Sequence, residues 1–491
     1  MSAVPSHPGV PPATASAAQR SHPARKGSVV ATTGSARGLA WPAKLVLVTM
    51  MLPAYFEVAG ILLSLSRILF LVLVPVLFIR LLKGCYGRVT SVDWLLLAHL
   101  GWIVISVAIN DPEVLVTFIG STTLISLGGY LTARAYVRSP SDFAGFAKTL
   151  GILVLLSLPF AIYETKTSQM IVPGLIEKIT PFLSNSDVNY EPRHGFHRVQ
   201  FVFSHPIHYG LWAGIGFSLV FVGLRWRLSR ITRMLWSAGI GFATFLSLSS
   251  GPFLAMMVQL ALGVFAWFVR GMRAAWWKLL GVSVISYVIL DLLSTRPAYY
   301  AIVERLAFNS NTANVRRILL NAGVAQIERT PLFGIGFTYG DWGLPEYMTG
   351  SLDNQWLAWA LLYGLPALAS LFAAFVTGLV LAGRRHFAPR SEIADMRLGW
   401  ALVCFGLMLA IATVAIWNEL MTMTYMMLGL GGWFLDTHEK SEASAHTDKA
   451  PEFRSCYSRF AGSSEPPPVR RSASSRVLPR ARPEPAQRRT R

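Results

Sequence analysis

The 491-residue sequence predicts an all-α polytopic membrane protein of about 12 transmembrane helices, with two large loops on one side. Three observations carry this reading. Apolar runs of span length recur from about Trp41 to Leu435. Only 14% of the residues are charged and 53% are apolar, whereas soluble domains carry nearer a quarter charged. Lys and Arg gather in alternate connections. The apolar runs are continuous rather than alternating, which favours helices over a barrel.

The runs place spans near 43–58, 60–82, 92–109, 114–133, 142–162, 206–224, 231–248, 252–270, 276–294, 354–382, 397–416 and 420–435. Only Glu57 and Gly60 mark the turn between the first two. With the N-terminus inside, the inside loops carry Lys83 and Arg88, then Arg134 and Arg138. Arg225, Arg227, Arg230 and Arg233 follow, then Arg270, Arg273 and Lys278, and last Arg384, Arg385, Arg390 and Arg397. The short outside turns, Asn110-Asp111-Pro112-Glu113, Ser249-Ser250-Gly251-Pro252 and Trp417-Asn418-Glu419, carry neither Lys nor Arg. This is the positive-inside pattern. It implies a multi-pass protein with both termini cytoplasmic.

The flanks differ in composition. Residues 1–40, rich in Ala, Pro and Ser with Arg20, Arg25, Lys26 and Arg37, read as a disordered cytoplasmic arm without the form of a cleavable signal peptide. Residues 436–491 read as a disordered, basic cytoplasmic tail, leaving 41–435 as the transmembrane domain. The net charge of +19 resides in these tails and in short loops. It therefore fits a topology signal better than nucleic-acid binding. Cys85, Cys404 and Cys456 have neither metal-like spacing nor a disulfide framework.

Two outside connections are long, from about Glu164 to His205 and from about Thr295 to Asp353. Long loops in compact proteins usually carry function. Both contain arginine against the topological bias, and an anionic ligand supplies a reason. The first ends in Arg193-His194-Gly195-Phe196-His197-Arg198, then Ser204-His205-Pro206-Ile207-His208. Arg193 and Arg198 suit phosphate oxygens, and His205 or His208 suits proton transfer near neutral pH. The competing readings are contact with lipid head groups for the arginines and helix capping for the histidines.

In the second loop, Val315, Ile318, Leu319, Ala322 and Ala325 recur at helical spacing beside Arg316 and Arg317. Asn311 or Thr312 would cap this helix, and Pro331 would follow it. The pattern predicts an amphipathic helix at the outer membrane–water boundary. Pro331-Leu332-Phe333-Gly334-Ile335-Gly336 comes next, then Asp353-Asn354-Gln355-Trp356 and Tyr363-Gly364-Leu365. Gly334 and Gly336 alone indicate a turn, since no strand precedes them as a phosphate loop requires. Asp353 alone reads equally well as a helix cap.

Together, from Arg316 to Leu365, these elements resemble the O-antigen ligase and polysaccharide polymerase superfamily of bacterial inner-membrane, GT-C-like glycosyltransferases. The match consists of an Arg-bearing amphipathic helix, Pro-x-x-Gly-x-Gly, a polar residue before Asn354 at a span's start, then Gly-Leu. Arg198 ahead of Gly210 is similar to the pattern of the family's other large outer loop, and Ser249-Ser250-Gly251-Pro252 to its small-residue turn. Ligases of the family typically have His where this chain has Asp353, which favours a polymerase. A ligase acting on lipid A-core is the alternative. A flippase fits less well, because the polar residues gather in outer loops rather than at mid-span, and a scaffolding role fits less well with such dense outside Arg and His groups.

The resemblance implies a donor oligosaccharide on undecaprenyl diphosphate at the periplasmic face. A hydroxyl of a second glycan would attack the anomeric carbon, with no cofactor and no metal. Arg193, Arg198, Arg316, Arg317 and Arg67 would bind the diphosphate and stabilise the leaving charge. Asp353 leads as base, with His205 and His208 behind it. Asn354, Gly334 and Gly336 would support the site. A carboxylate base is weak unless burial raises its basicity, and neighbouring arginines act against that. Membrane lipids, a chain-length regulator and other glycan-assembly proteins are the implied partners, and no nucleic acid.

Overall fold

The computed structural model describes residues 38–58, 61–180, 182–184, 190–193, 195–269, 272, 274–294, 297, 310–337 and 352–437. The expected arm up to residue 37 and the tail from residue 438 lie outside the described residues, as does the loop stretch 338–351. The chain divides into two units, Met1–Glu439 and Lys440–Arg491, and the described residues all belong to the first.

The protein is a mostly helical, multi-pass membrane protein. Among the described residues, 9 helices are long and apolar enough to cross a bilayer. They are α2 (Leu65–Leu82), α3 (Ser91–Asn110), the composite Pro112–Tyr136, α6 (Pro140–Thr167), the composite Pro206–Gly223, α10 (Ser250–Phe268), α11 (Ala275–Leu293), α14 (Leu365–Arg384) and α15 (Glu392–Ala410). The two composites contain α4 (Leu115–Phe118) with α5 (Leu124–Tyr136), and α8 (Pro206–Ser218), each joined to a π turn. The remaining helices are α1 (Trp41–Thr49), α7 (Ile171–Ile179), α9 (Arg230–Leu246), α12 (Ser310–Arg329), α13 (Gln355–Tyr363), α16 (Asn418–Leu430) and α17 (Gly432–Asp436). Leu71, Val72, Val76 and Ile79 of α2 are exposed, and α11 buries only Ala275. Bare apolar side chains on spanning helices suit a lipid surround.

The first expected span is corrected, and the second begins later than expected, at Leu65. Residues 41–64 form the short α1 and an antiparallel hairpin of β1 (Tyr55–Val58) and β2 (Ile61–Ser64), with Tyr55 opposite Ser64. Pro53 lacks the N–H that helix continuation needs, and the aromatic and β-branched residues after it favour strands. Hydropathy alone does not separate short strands from helix in such a run. The hairpin is extended by a bridge from Tyr55 to Leu183 in the first long loop. The expected single span 354–382 is broken at Gly364 into α13 and α14.

The expected outer-boundary helix is α12, and Pro331 follows its end. The side chains of Asn311 and Thr312, the expected caps, lie outside the described residues. Its apolar stripe does not face lipid. Leu319 is buried with Leu352, Leu357, Ala358 and Leu361, and Val315 and Ala322 pack against that cluster. Helix α13 thus covers the stripe and fixes which way Arg316 points.

At the end opposite the long loops, Arg134 is more than a topology signal. It is 1% exposed and pairs with fully buried Asp93 at 3.3 Å. Its Nη1 and Nη2 donate to the carbonyls of Tyr86 and Arg88 at 2.6 and 2.9 Å. Tyr130 donates to the same Asp93 at 2.6 Å, and Asp436 lies within 3.5 Å of Arg134. A buried pair persists only when its remaining donors and acceptors are satisfied in this way.

Candidate active site

The first long loop meets the turn between α9 and α10. Arg193 sits in a tight hairpin closed by paired backbone bonds with Phe196 (2.9 and 3.0 Å). Its Nη1 donates to the Leu248 carbonyl at 2.7 Å. Arg198 Nη2 donates to Ser249 Oγ at 2.9 Å, and its guanidinium lies 5.7 Å from the centre of the Tyr190 ring. From the second loop, Arg316 lies near enough to Arg193 for that guanidinium to disfavour its charge. Its Nε is 4.0 Å from Asp353 Oδ2.

This is an under-neutralised cationic centre. Among the described residues, no carboxylate lies within ion-pair distance of Arg193 or Arg198. The Nε atoms of Arg198 and Arg316 are buried without a hydrogen-bond partner. Burial pushes the Arg198 guanidinium down to about 10, with Arg193 adding to the effect. Burial likewise lowers Arg193 and, against the attraction of Asp353, Arg316. Guanidinium groups held this way, with donors to spare, are arranged for an anion that supplies the missing charge and acceptors.

The histidines lie on the adjoining wall. His205 is the N-cap of α8, its Nδ1 accepting the Ile207 N–H at 3.0 Å. That bond assigns the ring proton to Nε2, so the neutral ring donates rather than accepts there. Burial holds His205 down to about 3, helped by the nearness of His208, Arg198 and Arg193. It therefore stays uncharged throughout the neutral range, and its charge state contributes no step to activity between about pH 5 and 8. His205→Asn keeps a capping acceptor, and we expect it to retain transfer activity within a few-fold in a pH-resolved rate assay. A loss of about 10²-fold or more would assign proton transfer to the ring. His208 is 1% exposed, donates from Nε2 to the Ala415 carbonyl at 3.2 Å and packs 3.9 Å from the Trp417 ring. Its Nδ1 is buried without a partner.

Two expected site residues stand apart. Arg317 is exposed and donates to Asn314 on its own helix at 2.9 Å, so it does not join the other arginines. Arg317→Ala should change stability by less than about 0.5 kcal/mol and leave activity near wild type, checked in parallel with Arg316→Ala. Arg67 occupies the first turn of α2, where its N–H meets Ser64 Oγ at 3.3 Å. Its Nη2 donates to Asn418 Oδ1 at 3.1 Å, beside Glu419, which accepts from Tyr55 Oη at 3.4 Å. Trp417 connects this group to His205 and His208.

Asn354, not Asp353, caps α13, its Oδ1 accepting the Leu357 N–H at 3.1 Å. Asp353 is thereby left at the helix mouth, facing Arg316. Gln355 anchors the same turn, its N–H donating to Ile411 O at 2.8 Å and its Oε1 accepting the Ile416 N–H at 2.7 Å. Gly334 and Gly336, at φ 66° and 64°, serve geometry rather than phosphate. They let the loop lie on the end of α13, where Ile335 and Gly336 donate to Leu361 O (2.9 Å) and Leu362 O (3.0 Å). Asn110 and Ser106 of α3 hold the Phe333 carbonyl from the other side, at 2.8 and 2.6 Å. A cation needs a rigid mounting to stabilise charge at a fixed point, and this loop supplies it for the α12–α13 pair.

Sequence reasoning missed Tyr190, whose hydroxyl donates to Ser204 O at 3.0 Å and whose ring meets His205 edge-on at 4.6 Å. It also missed Ser249 as the Arg198 acceptor, and Glu164. The available signal for Glu164 was an acid at the end of an apolar span, a position that carries a cost unless it has a task.

Residues 235–372 match the family model described as O-Antigen ligase. That stretch supports the resemblance to the O-antigen ligase and polymerase superfamily. It includes the α9–α10 turn, Arg316, Asp353 and the glycine-bearing loop. Members of this superfamily are glycosyltransferase-like enzymes acting on lipid-linked glycans. No curated protein matches the chain. One solved structure, described as "Structural coordination of polymerization and crosslinking by a peptidoglycan synthase complex", is 13% identical over 70% of this chain and 96% of that chain, with a TM-score of 0.36.

Proposed function

We propose that this protein is a member of that superfamily and a polysaccharide polymerase. It joins repeat units carried on undecaprenyl diphosphate at the periplasmic face of a bacterial inner membrane, with both termini cytoplasmic. The observation that carries the reading is that Arg193 lies within electrostatic reach of both Arg198 on its own loop and Arg316 on the other, while the buried Nε atoms of Arg198 and Arg316 are left unpaired.

The donor's diphosphate binds across these arginines. A hydroxyl of the acceptor glycan attacks the anomeric carbon. A new glycosidic C–O bond forms as the bond to the diphosphate oxygen breaks, and undecaprenyl diphosphate leaves with the electron pair. Arg198 and Arg316 stabilise the charge that grows on that oxygen. Asp353, at the mouth of α13 and 4.0 Å from Arg316 Nε, orients the attacking hydroxyl and receives its proton. His205, neutral and with its Nδ1 committed to the cap of α8, lines the adjoining wall without taking part in proton transfer. The chemistry needs no cofactor.

Deleting the gene in its own host and sizing the surface and secreted glycan tests the reading. Loss of long polymer, with single repeat units left on the lipid carrier, is the expected result. Finished polymer stranded on undecaprenyl diphosphate would make the protein a ligase, and an unchanged glycan profile would overturn the functional reading itself.

A further inference from the structure

The segment that carries Arg198 is fastened to the end of α6 as well as within its own loop. Glu164, 3% exposed, accepts the Gln200 N–H on Oε1 at 2.7 Å and the Phe201 N–H on Oε2 at 2.9 Å. The neighbouring Thr165 accepts the His197 N–H on its carbonyl at 3.0 Å and donates its hydroxyl to His197 O at 2.8 Å. Arg198 lies between these two fastenings. Across from them, Val199 N–H reaches Leu246 O at 3.1 Å, next to the turn that holds Ser249.

Three features separate this from ordinary core packing. A buried carboxylate is costly, and an apolar residue would fill the volume more cheaply. Among the described residues Glu164 has no cation within ion-pair distance. Its partners are two successive main-chain N–H groups, the arrangement of an anion-binding nest. Phe201 adopts a left-handed φ of 58° to present its N–H, a conformation that a non-glycine residue holds only when its surroundings impose it. Among side chains of this length, only a carboxylate offers two acceptor oxygens for two adjacent donors. Glutamine would set its NH2 against one of them, and aspartate is one methylene short.

We propose that Glu164 is a positioning residue for the diphosphate site: its carboxylate fills a main-chain nest at Gln200–Phe201 and thereby aims Arg198 at the bound diphosphate. Both of its oxygens are occupied, so it does not act as the base. This inference rests on the proposed function, because it takes the Arg198 guanidinium to be a diphosphate ligand.

The test measures binding of farnesyl diphosphate, a short polyprenyl diphosphate probe, to the full-length protein in nanodiscs. Wild type, Glu164→Gln, Arg198→Ala and the double variant are compared, each checked for a single peak on size exclusion. Glu164→Gln is expected to weaken binding roughly tenfold or more, as loss of an orienting partner does at other sites. In the Arg198→Ala background the same change is expected to have no further effect, because Glu164 acts through that guanidinium. A general structural defect would weaken binding additively in both backgrounds, and that result overturns the proposal. So does wild-type affinity in Glu164→Gln. Should that variant fail to fold, Glu164→Asp, which keeps the charge but shortens the reach, carries the same expectation and the same refutation. Equal binding by wild type and Arg198→Ala would instead overturn the diphosphate site itself, so the two failures are distinguishable.

Discussion

Arg198→Ala is expected to lower glycan transfer by about 10²- to 10³-fold, the usual consequence of removing one preorganised donor from developing negative charge. The protein should still fold, because the lost bond to Ser249 Oγ is one of several that hold the loop. The backbone links His197–Thr165 and Val199–Leu246, at 3.0 and 3.1 Å, do not involve the side chain. Removing a guanidinium from a centre where Arg193 already disfavours its charge also relieves repulsion, so a fall in thermal stability is not expected. Arg198→Lys should recover only part of the rate, since an ammonium cannot reproduce the planar fork that spans two phosphate oxygens. Steady-state rates with a lipid-linked oligosaccharide, measured beside a thermal unfolding curve, separate lost chemistry from lost fold. Wild-type turnover in Arg198→Ala would remove Arg198 from the site.

The second large effect falls on folding. Gly364 joins α13 to α14 at φ 88° and ψ 166°, a region essentially reserved for glycine. A Cβ there would overlap the Leu332 carbonyl. That carbonyl cannot retreat freely, since Trp102 Nε1 donates to it at 2.9 Å and Leu365 N–H holds the neighbouring Pro331 carbonyl at 2.8 Å. Gly364→Ala therefore combines backbone strain of about 1–3 kcal/mol with overpacking of about 1–3 kcal/mol. Against a total stability of about 5–15 kcal/mol, the expected outcome is poor yield and a lowered unfolding midpoint in detergent. A midpoint equal to wild type would show that the helix break carries no strain.

Much of the architecture was legible because lipid imposes a simple rule: backbone groups must pair within a helix or a closed barrel, and apolar runs announce where. The same rule is silent where a run is apolar but too short or interrupted. Residues 41–64 are apolar enough for a span and yet fold as a short helix and a hairpin, because Pro53 and the aromatic, β-branched residues after it act through hydrogen bonding and sterics rather than hydropathy. The stripe on α12 was visible, but periodicity does not say whether lipid or protein covers it. Leu357 and Leu361 of α13 do.

At the site, density of Arg and His in two long loops pointed to Arg193, Arg198 and Arg316. It did not separate Arg316 from Arg317, because adjacent residues differ by about 100° around a helix and only the packing partner decides which faces inward. Nor did it separate Asp353 from Asn354 as the cap, since both side chains suit that position. Glu164 and Ser249 act on main-chain groups and on an arginine about 35 to 50 residues away in sequence. Contacts of that separation leave no local pattern to read.

The most direct test of the central claim reconstitutes the purified protein in liposomes with an undecaprenyl-diphosphate-linked repeat unit from its own host and separates the products by size. The expected result is a ladder of longer lipid-linked glycans with wild type, released undecaprenyl diphosphate in step with each addition, and no ladder with Arg198→Ala or Arg316→Ala. A ladder of equal strength in both variants would contradict the arginine site, and no extension or transfer by correctly folded wild type would contradict the assignment of polymerase activity.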